Sequence, residues 1–223
     1  MQKGKKFFNI IIIITIIALI SVIGYIAYYY INKYIALKDA EEAVNEFENE
    51  IIVVAIEEEK NVVQNETQNE QTPQEIQKPQ NTTGNKTSSK VTYKGYSMIG
   101  TIQIPKTKVK APIVDKVTTE SITAAAAVLY GPGLNKEGNT VIVAHNYRNG
   151  TFFSNNKKLV VGDKVYITDI AGRKVEYTIY KTYVTGEMDF EYATRNTNGK
   201  REISLSTCTT DPTKRLVIWA KEN

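Results

Sequence analysis

Two residues of the chain carry most of its reactive chemistry, and each of them occurs once. Cys208 is the only cysteine and His145 is the only histidine among the 223 residues. A cysteine thiolate is a competent nucleophile, and a nearby imidazolium stabilises it. Cys208 could equally be a small buried hydrophobic residue, and a single histidine usually has no special role. Because 63 positions separate the two residues, only the fold can decide between these hypotheses.

An arginine follows the cysteine at a spacing in the sequence that favours contact between the two residues. The stretch TTDPTK lies between Cys208 and Arg215 and has the composition of a turn. The strands on either side are therefore predicted to be antiparallel neighbours, which would place Arg215 near Cys208. Its permanent charge and forked donors could stabilise an oxyanion or hold a substrate carbonyl. An ordinary arginine at a sheet edge is the alternative.

The strand that carries the cysteine, REISLSTC, has two unlike faces. Side chains alternate along a strand, so Ile203 and Leu205 share one face while Ser204, Ser206 and Cys208 share the other. The apolar face is predicted to line a barrel interior. The two serines would then line a groove beside the cysteine, although a loop that covers this outer face remains an alternative.

The pattern of the rest of the C-terminal region predicts mostly β structure. Six further stretches have strand patterns, and turn signals such as GPG, EGN and NG separate them: MIGTIQI, VKAPIVD, NTVIVAH, KVYITDI, KVEYTIYKTYV and RLVIWA. The alanines of TAAAAVLY favour a helix, although a strand in or near this segment is the alternative. Many short strands with few helices predict a closed or nearly closed barrel.

The N-terminal region predicts a membrane segment. Residues 7–32 contain no charged residue, and this length is enough to cross a bilayer that needs ~20 residues. Three lysines precede the segment, and acidic residues soon follow it, so the N-terminus is predicted to be cytoplasmic and the remainder extracellular. The apolar stretch is long and ends in YYY, which favours an uncleaved anchor over a cleaved signal peptide.

Charge and composition divide the chain into three predicted parts: an anchor (1–33), a stalk (34–90) and a folded domain (91–223). The stalk has 5 lysines and 12 acidic residues; residues 34–62 could continue as a helix, and residues 61–90 are predicted to be a disordered spacer. The domain has 19 basic and 12 acidic residues but no dense basic run, so nucleic acid is not an expected partner. One cysteine and one histidine exclude an intramolecular disulfide and a zinc site made of these two residue types.

Together these motifs resemble the sortases, the membrane-anchored cysteine transpeptidases of Gram-positive bacteria. SLSTC is similar to the family's TLxTC signature, with Ser204 in place of the first threonine. NTVIVAH resembles the strand that ends in the family's histidine, and TKRLVIWA resembles the strand that opens with its arginine. The stretch IGTIQIPKTKVKAPIV is similar to the first hairpin, so the resemblance covers roughly residues 97–221.

The resemblance implies an eight-stranded sortase-type β-barrel with short helices and a role for each matching residue. Cys208 would be the nucleophile, His145 the general acid and base, and Arg215 the residue that stabilises the oxyanion or orients the substrate. Thr207 would belong to the substrate site. Sortases cleave a sorting signal of LPXTG type between Thr and Gly through a thioester, and transfer the acyl group to an amine of a cell-wall precursor or a pilin.

The resemblance also bears on the groove, on the class and on cofactors. Ser204, Ser206 and Tyr192, the last from the loop at residues 185–200, are predicted to line the peptide groove. This short loop leaves little room for the long helix of class B, and the lack of a C-terminal transmembrane segment argues against the pilin-polymerising class. A class A or D-like enzyme without metal or cofactor is therefore expected. A cysteine peptidase that only hydrolyses and a non-catalytic surface binding module are the alternatives.

Overall fold

The computed structural model describes residues 2–66 and 91–223, with side chains described for residues 7–53 and 91–223. Most of the predicted spacer, residues 67–90, lies outside this part of the chain. The described residues divide into two compact units that meet between Asp39 and Ala40. The first is a segment of helix, and the second contains the β domain together with the later part of the same helix.

Helix α1 spans Gln2–Glu66 and carries the apolar segment. Thr15 and Ser21 donate their hydroxyls to carbonyls one turn earlier, which satisfies these groups without an external partner. The stretch Phe7–Val53 is long and apolar enough to cross a membrane, which fits an anchor or a signal sequence. The helix also includes residues 61–66, the first residues of the predicted spacer. Elongating an existing helix orders one residue for each hydrogen bond gained, and this favours continuation.

The later part of α1 packs within the β domain rather than forming a free stalk. Its buried residues recur at helical spacing: Ala40, Val44, Phe47 and Ile51. Phe47 and Ile51 join a hydrophobic cluster with Tyr93, Met98, Val114, Ala125 and Ala127. Polar contacts flank this cluster, since Gln103 donates to the Glu48 carboxylate at 3.0 Å and Lys110 donates to Asn45 at 2.6 Å. Residues 40–51 of α1 therefore pack with the β domain, although they belong to the stalk predicted from the sequence.

We expect Phe47→Ala to destabilise residues 40–223 by about 3–5 kcal/mol, because it removes a fully buried aromatic ring. Ile52→Ala is the matched control, since Ile52 is 55% exposed on the same helix and should cost no more than about 0.5 kcal/mol. Urea denaturation followed by tryptophan fluorescence measures both values. Equal effects of the two substitutions would contradict the packing of this helix on the barrel.

The β domain contains nine strands within the described chain. Their bounds are Thr92–Tyr93 (β1), Tyr96–Ile104 (β2), Val109–Val114 (β3), Ala126–Tyr130 (β4), Gly138–Val143 (β5), Lys164–Asp169 (β6), Lys174–Gly186 (β7), Arg201–Cys208 (β8) and Lys214–Glu222 (β9). Short helices lie between them: 3-10 turns at Pro105–Thr107 and Phe152–Lys158, and α-helices at Thr119–Ala124 (α2) and Glu191–Thr194 (α3).

Eight of these strands close into a mixed barrel. The order is β2-β3-β4-β5-β8-β9-β7-β6, and β6 pairs back with β2, while the two-residue β1 adds to β2 from outside. The pairs β3–β4 and β5–β8 are parallel, and the others are antiparallel. Closure leaves no free edge among these eight strands, as the prediction of an eight-stranded barrel requires.

The barrel interior holds the main core, and one face of β8 supplies two of its residues. Ile203 and Leu205 lie in this core with Ile102, Ile142 and Ile218, so the predicted inward face is confirmed. The stretch TAAAAVLY is mainly a strand, contrary to the favoured helix. Helix α2 ends at Ala124, and Ala126 and Ala127 pair with β3. Burial between strands overrides the helix propensity of alanine here.

Candidate active site

The ends of three adjacent strands bring the candidate residues together. Strands β5 and β8 run parallel, and their last pair in register is Val143 with Ser206. His145 and Cys208 each lie two residues beyond this pair, at matching positions. Strand β9 runs antiparallel to β8 and pairs Arg215 directly with Cys208. Residues that are 63 positions apart in the sequence therefore meet at one mouth of the barrel.

Side-chain bonds continue the contact where the parallel ladder stops. The Thr207 hydroxyl, which is buried, donates to the carbonyl of Ala144 at 2.7 Å. The Asn146 amide donates to the carbonyl of Cys208 at 2.8 Å. The residues before and after His145, Ala144 and Asn146, are thus each hydrogen-bonded to the end of β8. The Thr207 hydroxyl ties this strand end, which carries the cysteine, to the segment that carries His145.

A cavity of about 410 Å³ opens beside the thiol. Cys208 is a free, half-exposed cysteine that contributes to its wall. Its lining combines the apolar side chains of Phe153, Val184 and Leu216 with polar and basic residues that include Arg148 and Lys157. Among the residues that the structure describes, no aspartate or glutamate lines this cavity. A thiol in this position is accessible to a substrate, unlike a cysteine of the core.

His145 lies partly buried next to an aromatic ring. Its imidazole and the Tyr147 ring have centroids 4.9 Å apart, and its backbone carbonyl accepts from the Phe153 N–H at 3.2 Å. Burial lowers the pKa of His145 below the ordinary value of 6.5, because desolvation disfavours the charged imidazolium. Most of the imidazole is therefore neutral at pH 7 and can accept a proton.

The single histidine allows this pKa shift to be tested directly. We expect the imidazole resonances of histidine-labelled protein to titrate with a midpoint below 6.5 in an NMR pH series. Cys208→Ala, measured in parallel, should also titrate below 6.5, because burial rather than the thiol is the cause. Since the unfolded chain binds this proton more readily, the contribution of His145 to stability should fall as the pH drops below 6.5. A midpoint at or above 6.5 would contradict the effect of burial.

The backbone of Arg215 pairs with that of Cys208, while its guanidinium is bonded to the turn that precedes Arg215 and to the loop that contains Glu187. Nη1 donates to the carbonyls of Pro212 at 2.7 Å and Lys214 at 3.2 Å, and Nη2 contacts the Glu187 carboxylate at 3.4 Å. The ion pair with Glu187 is partly exposed and is therefore worth at most about 1 kcal/mol. A substrate oxygen can therefore compete with the Glu187 carboxylate for Nη2.

Ser204, Ser206 and Tyr192 lie in a different setting from the open groove expected from the sequence. Ser204 is fully buried and donates to Asn139 at 2.9 Å, while the Ser206 and Tyr192 hydroxyls are 3.3 Å apart. Tyr192 is only 3% exposed. The loop that contains α3 covers the outer face of β5, β8 and β9. These side chains therefore lie buried between the sheet and this loop. Of the expected substrate residues, Thr207 alone lines the cavity.

A largely buried arginine anchors this covering loop, and it is not among the residues that the sequence pattern indicated. Arg195 pairs with Glu202 of β8 and donates to Asn139 of β5 at 2.9 Å. Its guanidinium also lies 4.6 Å from the centre of the Trp219 ring on β9. The sequence offers little signal for this cluster, because a loop arginine usually lies in solvent.

The described residues hold no group of three or more His, Cys, Asp or Glu side chains that could bind a metal ion. The candidate residues at this mouth of the barrel offer a thiol, an imidazole and a guanidinium. A thiol nucleophile, an imidazole that transfers protons and a guanidinium that can contact an oxyanion suit acyl transfer.

Comparison with known proteins identifies this architecture. A family model for the sortase domain matches residues 102–223. A lid mutant of sortase A from Corynebacterium diphtheriae is 25% identical with a TM-score of 0.53, over 57% of this chain and 71% of that chain. A pilus-related sortase C of Group B Streptococcus is 31% identical with a TM-score of 0.52, over 56% and 67% of the two chains. None of the curated proteins compared with the chain matches it significantly.

The barrel and the matched domain define a cysteine transpeptidase. Because the family model covers more than half of the chain, the chain belongs to the sortase family. Sorting-signal peptides are the substrates that this family implies, and the long apolar helix fits a membrane anchor or a signal sequence.

Proposed function

We propose that the enzyme cleaves a sorting signal of LPXTG type between Thr and Gly and joins the released acyl group to an amine of the cell envelope. One observation carries this proposal: the register of β5, β8 and β9 brings the only cysteine, the only histidine and Arg215 to one mouth of the barrel, where an open cavity is lined by Cys208. The acceptor is an amine of a cell-wall precursor or of a pilin. The length of the loop at residues 185–200 favours a class A or D-like enzyme.

The first half-reaction acylates the cysteine. The Cys208 thiolate attacks the threonine carbonyl carbon, and a carbon–sulfur bond forms as the carbonyl electron pair moves onto oxygen. The oxyanion then collapses and the carbon–nitrogen bond breaks. The imidazolium of His145 gives its proton to the departing glycine amine. The products are a thioester on Cys208 and a peptide with a free N-terminus.

The second half-reaction reverses these roles. The acceptor amine attacks the thioester carbonyl, and neutral His145 accepts the proton that the amine loses. The carbon–sulfur bond breaks, the thiolate of Cys208 is regenerated, and a new amide forms. The depressed pKa of His145 favours this step, because it increases the fraction of imidazole that is free to accept a proton.

Arg215 stabilises the oxyanion in both half-reactions. Its guanidinium lies on the residue paired with Cys208, and the partly exposed contact with Glu187 is weak enough to yield to a negatively charged oxygen. Thr207 positions the substrate site through its bond to Ala144. Ser204, Ser206 and Tyr192 contribute indirectly, as the buried support of the sheet that bears the cysteine.

The location follows from the N-terminal region. Residues 7–32 anchor the protein in the cell membrane as a single-pass helix, the basic N-terminus stays in the cytoplasm, and the barrel lies outside. An extracellular barrel has access to secreted proteins that carry sorting signals and to amines of the envelope.

Incubation of residues 40–223 with a fluorescent LPXTG-type peptide tests the reaction. We expect cleavage between Thr and Gly, a thioester on Cys208 visible by mass spectrometry, and ligated product when an amine is added. Cys208→Ala should lower turnover by at least about a thousandfold, as expected for loss of a nucleophile. Cleavage that yields no ligated product in the presence of the amine would support a peptidase. Full activity of Cys208→Ala would support a non-catalytic role for the thiol.

Substitutions of Arg215 test its role as an oxyanion donor. Arg215→Ala should lower kcat about 100- to 1000-fold, and Arg215→Lys should restore little, because an ammonium lacks the forked donors. Glu187→Gln is the matched control, since it removes only the weak ion pair and should change kcat by less than about fivefold. Steady-state kinetics with the same peptide measures these values. A larger loss in Glu187→Gln than in Arg215→Ala would contradict this assignment.

A further inference from the structure

The parallel ladder between β5 and β8 ends two residues before the catalytic positions. Its last register pair is Val143 with Ser206, and the backbone after Val143 leaves strand geometry. Two side-chain bonds then hold the strand ends together, from Thr207 to Ala144 and from Asn146 to Cys208. The second of these reaches the nucleophilic residue itself, and it comes from the residue that follows His145.

Both ends of the Asn146 amide are occupied. Nδ2 donates to the Cys208 carbonyl at 2.8 Å, and Oδ1 accepts from the backbone N–H of Arg148 at 3.1 Å. Arg148 has a φ of 57°, a left-handed backbone that is uncommon outside glycine, and it donates to the Thr210 carbonyl at 2.9 Å. The amide therefore cannot rotate without losing one bond, and the segment at residues 146–148 clamps the turn at residues 208–210.

We propose that Asn146 is a positioning residue for the nucleophile: its amide holds the Cys208 backbone against the chain segment that carries His145. This role rests on the proposed function, in which Cys208 and His145 act as a pair. A side-chain bond can replace a ladder bond here while the two strand ends separate, which leaves space for a peptide carbonyl beside the thiol. Small errors of position are costly, since a displacement of about 1 Å can lower a rate about 100-fold.

The chemistry of the amide explains why asparagine suits this position. One short neutral group supplies a donor to Cys208 and an acceptor to Arg148. An aspartate of the same shape keeps the acceptor but loses the donor, and it adds a negative charge beside a thiolate. An alanine loses both bonds. Asn146→Asp and Asn146→Ala therefore both break the contact with Cys208 by different routes.

Asn149 provides a matched control on the same loop. Its Oδ1 accepts from the backbone N–H of Thr151 at 2.9 Å and from the Thr151 hydroxyl at 2.6 Å. In the part of the chain that the structure describes, its side chain makes no hydrogen bond to the turn at residues 208–210. Asn149→Ala thus loosens the loop without touching Cys208.

Alkylation of Cys208 by iodoacetamide tests the inference without a peptide substrate. We expect His145→Ala to slow alkylation at pH 7 at least about threefold in the otherwise unchanged protein, because a neutral imidazole close to the thiol can accept its proton and the resulting imidazolium stabilises the thiolate. The same substitution should change the rate by less than about 1.5-fold in an Asn146→Ala or Asn146→Asp background, because contact between the pair is lost. In an Asn149→Ala background, the full effect of His145→Ala should remain.

Peptide kinetics and melting temperatures complete the test. Asn146→Ala should lower kcat about 10- to 100-fold with KM changed less than twofold, while Tm falls by only about 2–4 °C. An effect of His145→Ala that is equal in all backgrounds, or absent in all of them, would overturn the inference. Equal losses in Asn146→Ala and Asn149→Ala would also overturn it. Coupled alkylation without any peptide cleavage would instead reject the proposed function and keep the positioning role.

Discussion

The parallel pairing of β5 with β8 is the contact on which the active site depends. Its register alone decides that His145 and Cys208 lie at matching positions, because the two residues are 63 positions apart in the sequence. A shift of one residue would turn Ile203 and Leu205 out of the core, so burial of these side chains keeps the catalytic positions aligned. The stability of the core and the geometry of the site are thus set by one sheet.

This sheet is buried on both faces where it bears the site. Inside the barrel it packs on the main core, and outside it Val141 and Val217 pack under Tyr192 of the covering loop. Such two-sided burial is typical of parallel strands. The arginine cluster around Arg195 fastens the loop with a buried ion pair and a stacked tryptophan ring. The strand ends therefore project from a rigid support, which suits a nucleophile that needs a fixed position.

The helix that contains the apolar N-terminal segment also contributes to the domain. Phe47 and Ile51 cover the outer side of β2 and β3 with a separate small core. Polar bonds from Glu48 and Asn45 to the barrel border this core, so the helix has a defined register on the sheet. The part of the chain after the apolar segment is therefore structural at residues 40–51, and its acidic composition alone does not indicate this.

By itself, the sequence determined the chemistry and the alternation of the strands. One thiol, one imidazole and an arginine after a short turn indicated a candidate cysteine nucleophile, and the resemblance to the sortases supplied the acyl-transfer reaction. The face of Ile203 and Leu205 was predictable because strand side chains alternate with period two. Only the tertiary structure decided which outer faces are covered. Ser204 is buried under a distant loop, and Asn146 reaches Cys208 across two strand ends. Both contacts join residues more than ten positions apart, and local sequence patterns carry no information about which distant residues meet.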